Sequence, residues 1–275
     1  MTLNSNPKFS VLLAVYAKES PKLFQQSLNS LVNQTLKADE VVLVCDGPLT
    51  RDLEEIIEVF KSQLPLKIVR IPENVGFGSA LQIGMKHCSH ELIARADTDD
   101  ISLPERFAIQ IQYMVNHPEI DILGSSIYEF EDEVTNIYTE KKLPLGHKEI
   151  LKYAKWRNPM NHMSVVFKSS AVYKAGGYSN YRFAQDYLLW VQMIQAGCIF
   201  QNLPDVLVLV SAGRQMVTKR GGFSHFKNEF KMQGDFLRLG FLNPAQIIIN
   251  TMIRLPVRLL PDNLRRAFYL KILRK

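Results

Sequence analysis

Three carboxylates, Asp97, Asp99 and Asp100, lie within four positions and closely follow the short apolar segment Leu92–Ala94. The apolar segment predicts a buried strand, which places the carboxylates near its carboxyl end. Mg²⁺ and Mn²⁺ take oxygen ligands and commonly bridge one or two protein carboxylates to the phosphates of a substrate. The Asp-x-Asp pair therefore suits a metal-bound diphosphate. An acidic surface turn is the alternative, because aspartate is common in turns.

The elements before this pair alternate between strand and helix patterns. Continuous apolar runs at Phe9–Tyr16, Glu40–Cys45 and Leu66–Ile71 predict strands that are buried on both faces. A segment with helical spacing of apolar residues follows each run. This alternation predicts an α/β fold with a Rossmann-like, mostly parallel sheet flanked by helices. Ligands of such sheets bind beyond the carboxyl ends of the strands.

Polar features stand where each of these strands ends. Tyr16 follows the first strand, Asp46 the second and the loop Pro72–Gly78 the third, and Asp97–Asp100 follows the fourth. Four such features at one sheet edge predict a nucleotide-type site. The glycines of the loop do not form a dinucleotide-binding fingerprint, because no Gly-x-Gly-x-x-Gly directly follows a strand.

The second half of the chain adds three kinds of candidate. Asp186 stands near the start of a predicted helix, where the helix dipole favours a carboxylate, so an N-terminal cap is the alternative to a catalytic role. His162 precedes a predicted strand and could contact a ligand or form a buried hydrogen bond. We expect Trp156 and Trp190 in the core rather than on a sugar-binding surface.

Composition limits the class of protein. The chain has 275 residues, of which 47% are hydrophobic, so it can bury a large core. Its three cysteines are widely spaced, which argues against a disulfide framework and against a zinc cluster. The segment Met1–Pro7 lacks the basic and apolar regions of a signal peptide. Together these features lead us to expect a cytoplasmic protein.

The segment Arg214–Lys275 is strongly basic, with 13 Lys/Arg against 3 Asp/Glu. Within it, Ser224–Leu239 predicts an amphipathic helix. Ile247–Leu260 is apolar but contains two arginines and a proline, and it is too short to span a bilayer. It could lie on an anionic membrane surface or pack on the core, and the two are compatible. Few aromatic residues are interleaved with these charges, so we expect no nucleic-acid binding.

These motifs together resemble bacterial glycosyltransferases of family 2, in particular the amylovoran-type enzymes that build exopolysaccharide, capsule or O-antigen units. One departure is Gln185, where the family often has glutamate. The matching segments occur in family order and cover nearly the whole chain: Ser10–Tyr16, Cys45–Thr50, Asn74–Gly76, Asp97–Asp100, Asn161–His162, Gln185–Tyr187 and Lys219–Gly222.

The resemblance implies a GT-A fold and a nucleoside-diphosphate sugar, with UDP expected, as donor. It implies inversion at the anomeric carbon, with Asp186 as the base and with Mn²⁺ or Mg²⁺ held by Asp97 and Asp99. Arg95 could contact the nucleotide or pair with an aspartate. The residues implied for the nucleotide-sugar are Val15, Tyr16, Asp46, Asn74, Gly76, Arg95, Asp97 and Thr98. Those implied for the acceptor or the diphosphate are His162, Lys219 and Arg220.

The resemblance also implies a domain organisation and a cellular location. Residues 1–213 would form the GT-A catalytic domain, with a nucleotide-sugar half up to about residue 100 and an acceptor half in 101–213. Residues 214–275 would form a basic helical extension. We expect a hexosyltransferase-type enzyme that acts on a lipid-linked saccharide, peripheral on the inner membrane face.

Two other functions suit the same predicted fold. A nucleotidyltransferase would need a glycine-rich basic loop after the first strand, and Ala14–Lys18 does not supply one. A non-catalytic nucleotide-binding protein would not need the intact set of Asp97, Asp99 and Asp186. Both alternatives are therefore less favoured than glycosyl transfer.

Overall fold

The computed structural model describes residues 7–131, 133–181, 184–211 and 223–259. In the ranges 223–229 and 254–259 only the backbone is described. Lys219 and Arg220 lie outside the described residues. Their assignment to the acceptor or the diphosphate therefore stays a prediction, as does the domain boundary at residue 213.

Strands and helices alternate through the first 116 residues and become more irregular after that. The strands are β1 (Phe9–Val15), β2 (Glu40–Asp46), β3 (Leu66–Ile71), β4 (Leu92–Arg95), β5 (Ile101–Ser102), β6 (Ile122–Phe130), β7 (Ile137–Lys141), β8 (Val166–Lys168) and β9 (Phe200–Ser211). The helices are α1 (Pro21–Val32), α2 (Arg51–Phe60), α3 (Phe77–Met85), α4 (Arg106–Asn116), α5 (His147–Ala154), α6 (Ser169–Lys174), α7 (Gln185–Gln195), α8 (Phe223–Arg238) and α9 (Pro244–Leu259).

One mixed sheet organises the described residues, with strand order β3-β2-β1-β4-β8-β6-β9-β5 and with β7 beside β6. The first four strands are parallel, so their carboxyl ends share one edge. Along β1, Val11 and Leu13 enter the core on one face, and Leu12 and Ala14 enter the core on the other. Helices cover both faces, which is why β1 is apolar throughout. The predicted α/β, Rossmann-like fold is confirmed.

Two strands differ from the sequence prediction. β9 begins at Phe200, whereas the apolar run alone predicts a strand from Asp205. Pro204 has no N–H to donate, and the ladder between β6 and β9 shifts register there, because Ser125 pairs with Leu203 and Ser126 with Val206. The two-residue strand β5, which pairs with β9, is too short to give a sequence pattern.

Helix α8 packs against α7 through apolar side chains. Met232 and Phe236 of α8 pack against Tyr187 and Val191 of α7, so the predicted amphipathic helix covers the helix that begins beside Asp186. Among the described residues, no helix has the length and the apolar character needed to cross a membrane.

Candidate active site

The loop after β4 presents alternate residues to solvent. Asp97 and Asp99 are partly exposed, whereas Thr98 and Asp100 are buried. The side chains predicted to hold a metal therefore point away from the core. Thr98, which the resemblance assigns to the nucleotide, is buried, and its contact with a nucleotide stays a prediction.

Hydrogen bonds from two distant elements fix this loop. The Ser27 hydroxyl of α1 donates to the Asp97 carbonyl oxygen at 2.8 Å. The Ser211 N–H, at the end of β9, donates to Asp100 Oδ1 at 3.0 Å. Burial, followed by the charges of Asp99 and Asp97, raises the pKa of Asp100 well above its usual range, which favours the neutral form. The buried Asp100 side chain therefore anchors the loop to the end of β9.

Arg95 is fully buried at the end of β4 and is surrounded by protein acceptors. One terminal nitrogen pairs with Asp97 Oδ1 at 2.5 Å, and the other donates to the Leu12 carbonyl oxygen. Nε approaches His162 Nε2 at 3.3 Å. The sequence left nucleotide contact and aspartate pairing open for Arg95, and the structure shows the pairing. Arg95 thereby orients the Asp97 carboxylate.

His162 is buried among aromatic rings and acts on the site through Arg95. Its Nε2 lies 2.8 Å from the Tyr178 hydroxyl. Burial and the charge of Arg95 lower the pKa of His162 well below its usual range, so the ring is neutral. With Nε2 as the acceptor, both neighbours can donate to it. Trp190 packs 5.8 Å from the ring in the core, as the sequence predicts.

Asp186 lies in the first turn of α7 and is partly exposed. The Asn158 side-chain amide donates to Asp186 Oδ2 at 2.5 Å. Burial raises the pKa of Asp186, and the bonds from Asn158 and from the Tyr187 N–H oppose that rise. Ala184, just before the helix, has φ 56°, a left-handed conformation that is strained for a residue with a Cβ. Asp186 is thus held at a fixed, strained helix start.

The pKa of the buried Tyr178 hydroxyl depends on the charges of both Asp186 and Asp97. Burial raises the pKa of its hydroxyl first, Arg95 lowers it, and the negative charges of Asp186 and Asp97 raise it further. Asp97 and Asp186 therefore both lie within electrostatic range of the same buried hydroxyl. The start of α3 also meets this region, since a Cβ on Gly78 would clash with the Ser179 carbonyl oxygen.

Asp46 fixes the loop between β3 and α3. Its Oδ1 accepts the Val75 N–H at 2.8 Å, and its Oδ2 accepts the Asn74 amide at 3.0 Å and the Gly76 N–H at 3.2 Å. Gly76 has φ 89°, which favours glycine. These residues come together as the sequence predicts, and their contact with a nucleotide stays a prediction.

Tyr16 borders the same edge at the end of β1, with 40% of its surface exposed. Burial, Glu19 and Asp99 all raise the pKa of its hydroxyl, so Asp99 lies within electrostatic range of Tyr16. Val15 is buried in the core, and its contact with a nucleotide stays a prediction. The ends of β1, β2, β3 and β4 therefore frame one site.

Comparisons with known proteins decide the family. The sequence model of glycosyl transferase family 2 matches residues 10–177. The chain belongs to glycosyltransferase family 2. It is 42% identical to the amylovoran biosynthesis glycosyltransferase AmsE of Erwinia amylovora, covering 92% of this chain and 96% of that one. It is 36% identical to the UDP-Gal:alpha-D-GlcNAc-diphosphoundecaprenol beta-1,3-galactosyltransferase of Escherichia coli, covering 99% and 98% of the two chains.

A solved structure supports the fold of this glycosyltransferase. TarS 1–349 of S. aureus in complex with UDP-GlcNAc aligns with a TM-score of 0.67 and 18% identity, covering 96% of this chain and 76% of that chain. The predicted GT-A fold and the predicted amylovoran-type family resemblance are confirmed. The chain is an enzyme of the glycosyltransferase class, and the family favours glycosyl transfer over nucleotidyl transfer.

Several site residues of this glycosyltransferase escaped the sequence prediction. Arg106 is fully buried and donates to the Arg95 carbonyl oxygen at 2.7 Å and to the Ser102 hydroxyl at 2.8 Å. Burial and the charge of Arg95 lower the pKa of Arg106 to about 9. An arginine on the inward face of α4, beside Phe107, is the signal that could have identified it. Asn158 and Tyr178 carried no comparable signal.

The prediction for Trp156 was wrong. Trp156 is 42% exposed, directly after α5, because the polypeptide turns there and leaves the side chain outside the core. The N–H groups of Trp156 and Arg157 both donate to the Tyr153 carbonyl oxygen at 2.9 Å, which fixes this turn.

The donor set of this glycosyltransferase suits a hard cation that shares its ligands with a substrate. Within the described ranges, no three His, Cys, Asp or Glu side chains are grouped so that they could hold a metal ion. Asp97 and Asp99 offer carboxylate oxygens beside the site. Mg²⁺ and Mn²⁺ are commonly bound by one or two carboxylates together with substrate phosphates and water. The residues therefore fit a metal whose coordination a diphosphate completes.

Proposed function

We propose that this enzyme transfers a sugar from a UDP-sugar to a lipid-linked saccharide in surface polysaccharide biosynthesis, with inversion at the anomeric carbon. The observation that carries the proposal is that Arg95 and His162 join Asp97 to the buried Tyr178 hydroxyl, which also lies within electrostatic range of Asp186. The predicted metal ligand and the predicted base are thereby brought into one region. The name of the E. coli relative, which contains UDP-Gal and a diphosphoundecaprenol-linked sugar, supports the substrate classes. The UDP-GlcNAc complex of TarS supports the donor class.

On the donor side, Asp46 and the loop of Asn74 and Gly76 border the nucleotide together with Tyr16. Asp97 and Asp99 would hold Mn²⁺ or Mg²⁺, which as a Lewis acid neutralises charge on the departing diphosphate. Arg95 keeps one oxygen of Asp97 engaged at 2.5 Å, so the other oxygen is directed to the ligand.

On the acceptor side, Asp186 takes the proton of the acceptor hydroxyl as its oxygen bonds to the anomeric carbon. The bond from that carbon to the diphosphate breaks on the opposite face, which inverts the configuration. The Asn158 amide donates to Oδ2 of Asp186 and thereby orients the carboxylate that accepts the proton. A raised pKa makes the carboxylate a stronger base than an exposed aspartate and brings it nearer the working pH.

A donor screen tests this proposal. We expect the purified enzyme to hydrolyse one or more UDP-sugars slowly, faster with Mn²⁺ or Mg²⁺ than with EDTA, and GDP- or dTDP-sugars more slowly. Release of nucleoside diphosphate is the measurement. A preference for GDP- or dTDP-sugars would overturn the UDP assignment, and release of pyrophosphate from a sugar phosphate and UTP would indicate nucleotidyl transfer instead.

We also propose that the enzyme works in the cytoplasm, peripheral on the inner membrane face. α9 turns an apolar stripe outward: Ile248, Ile249, Met252 and Ile253 are 44–69% exposed, whereas Asn250 on the opposite face is buried. From residue 254 to 275 the sequence contains seven Lys/Arg and one Asp/Glu. An exposed apolar stripe followed by basic sequence suits insertion into an anionic lipid surface.

Substitution of the stripe tests the membrane proposal. The double variant Ile248→Ser/Met252→Ser is expected to bind phosphatidylglycerol-containing vesicles at least about tenfold more weakly, since each apolar side chain contributes about 1.5–3 kcal/mol when buried. Vesicle co-sedimentation at fixed salt is the measurement. Val59→Ser on α2, where Val59 is 57% exposed, is the matched control and should bind like the wild type. Equal binding by the double variant and the control would refute the role of α9.

A further inference from the structure

We propose that the exposed turn Lys155–Asn158 binds the sugar diphosphate of the lipid-linked acceptor, with the Trp156 indole as the platform for the acceptor sugar ring. This inference rests on the proposed function, because it names the acceptor subsite beside the same base. The inference rests on the hydrogen bonds that anchor the two ends of the turn and on the exposed side chains between them.

One end of the turn is fixed to the base. Asn158 donates through its side-chain amide to Asp186 Oδ2 at 2.5 Å, and its Oδ1 accepts the Met160 N–H at 3.2 Å. The orientation of Asn158 is thereby set from both sides. Any group bound on the neighbouring residues of the turn lies close to the carboxylate that takes the acceptor proton.

The other end of the turn is fixed to α9. The buried Asn250 amide donates to the Lys155 carbonyl oxygen at 3.0 Å. Asn250 lies on the face of α9 opposite the exposed stripe of Ile248 and Met252. Three residues span at most roughly 11 Å, so the turn is a short bridge between the base and the membrane-facing helix.

The side chains between the two anchors match the chemistry of a sugar diphosphate. Lys155, Trp156 and Arg157 are all exposed. The Lys155 N–H donates to the Lys152 carbonyl oxygen, and the other two N–H groups donate to that of Tyr153. An indole offers an apolar face to the C–H groups of a pyranose ring and an N–H to its hydroxyls. Lysine and arginine form charge-assisted hydrogen bonds with phosphate oxygens.

The turn carries both kinds of group that a lipid-linked sugar diphosphate needs, between the base and α9. A lipid-linked sugar presents a hydroxyl, a ring, a diphosphate and a lipid in sequence. From the Asp186 end the turn presents Arg157, then Trp156, then Lys155, whose carbonyl oxygen bonds Asn250 of α9. An acceptor whose reacting hydroxyl lies at Asp186 would therefore meet an aromatic ring and two cations along the same turn.

Kinetics with a defined acceptor test the subsite. The probe is α-GlcNAc-diphosphate esterified to a long alkyl chain, with the UDP-sugar that the donor screen selects. Trp156→Ala is expected to raise the KM for this acceptor about tenfold, and Trp156→Phe to restore much of the loss. The KM for the donor and the hydrolysis of UDP-sugar without acceptor should not change. Tyr173→Ala, a half-exposed aromatic on α6, is the control.

A second variant isolates the diphosphate part. Arg157→Ser should raise the KM for the diphosphate acceptor and leave transfer to the matching alkyl glycoside, which has no phosphate, unchanged. An acceptor KM within twofold of the wild type in both Trp156→Ala and Arg157→Ser would overturn the subsite. So would a wild type that hydrolyses UDP-sugars but does not use this acceptor. A wild type that hydrolyses no UDP-sugar rejects the proposed function, and the subsite with it.

Discussion

The variant Asp186→Asn is expected to lose transfer by about 10²–10⁴-fold, the range that a positioned general base contributes. Asparagine keeps the size of the side chain and an oxygen for the bond from Asn158, but it cannot accept a proton. Because we propose that the donor binds beside Asp97 and Asp99, the affinity for UDP should be unchanged. Initial rates of transfer and calorimetric titration with UDP are the two measurements.

A matched substitution controls for the loss of a negative charge. Asp205 is exposed on β9, and Asp205→Asn makes the same chemical change away from the site. This variant should transfer at the wild-type rate. Turnover of Asp186→Asn within a few-fold of the wild type would show that another group takes the proton.

The pH dependence follows from the direction of the Asp186 pKa. Burial raises this pKa, and only the ionised carboxylate acts as a base. Activity should therefore fall, as pH decreases, at a higher pH than an exposed aspartate would give. Between the unfolded and folded pKa values the folded state binds the extra proton, so stability falls as pH rises through that window. Asp186→Asn removes this cost, and its melting temperature at neutral pH should at least equal that of the wild type.

The sequence predicted the parallel half of the sheet well because burial on both faces leaves continuous apolar runs. That pattern alone places Tyr16, Asp46 and Asp97 at one edge of the sheet. It failed at β9, where Pro204 and Asp205 resemble a boundary but form an irregularity within one strand. A register shift between partners is a property of two strands and leaves no local signature.

Site residues that stand at a strand end or a helix start could be predicted from the sequence. Residues that matter only because they contact another site residue in the fold were harder to predict. The place of Asp186 in the first turn of α7 follows from the sequence, and its role as the base stays a prediction. Arg95 had two possible roles, and only the fold shows its pairing with Asp97, whereas its contact with a nucleotide stays a prediction. Asn158 and Tyr178 matter because tertiary packing brings them to Asp186 and His162, from 28 and 16 residues away along the chain.

The second large effect is expected from substitution of Asp99, a predicted metal ligand. Asp99→Asn should weaken metal-dependent UDP binding by at least the about 10–100-fold that substitution of outer-shell partners costs, since Asp99 is predicted to be a direct ligand. The amide is a poorer, uncharged donor to a hard cation. Titration of UDP in the presence of Mn²⁺ and again with EDTA separates the metal-dependent part of the affinity.

The neighbouring residue provides the control. Asp100→Asn makes the same substitution one position further, where the side chain is buried and accepts the Ser211 N–H at 3.0 Å. Asparagine keeps that acceptor and resembles the neutral carboxyl that burial favours, so the loop should retain its shape. Of Asp99 and Asp100, only the partly exposed Asp99 should therefore be needed for Mn²⁺ binding. An equal loss in both variants would mean that loop structure, rather than metal coordination, sets donor affinity.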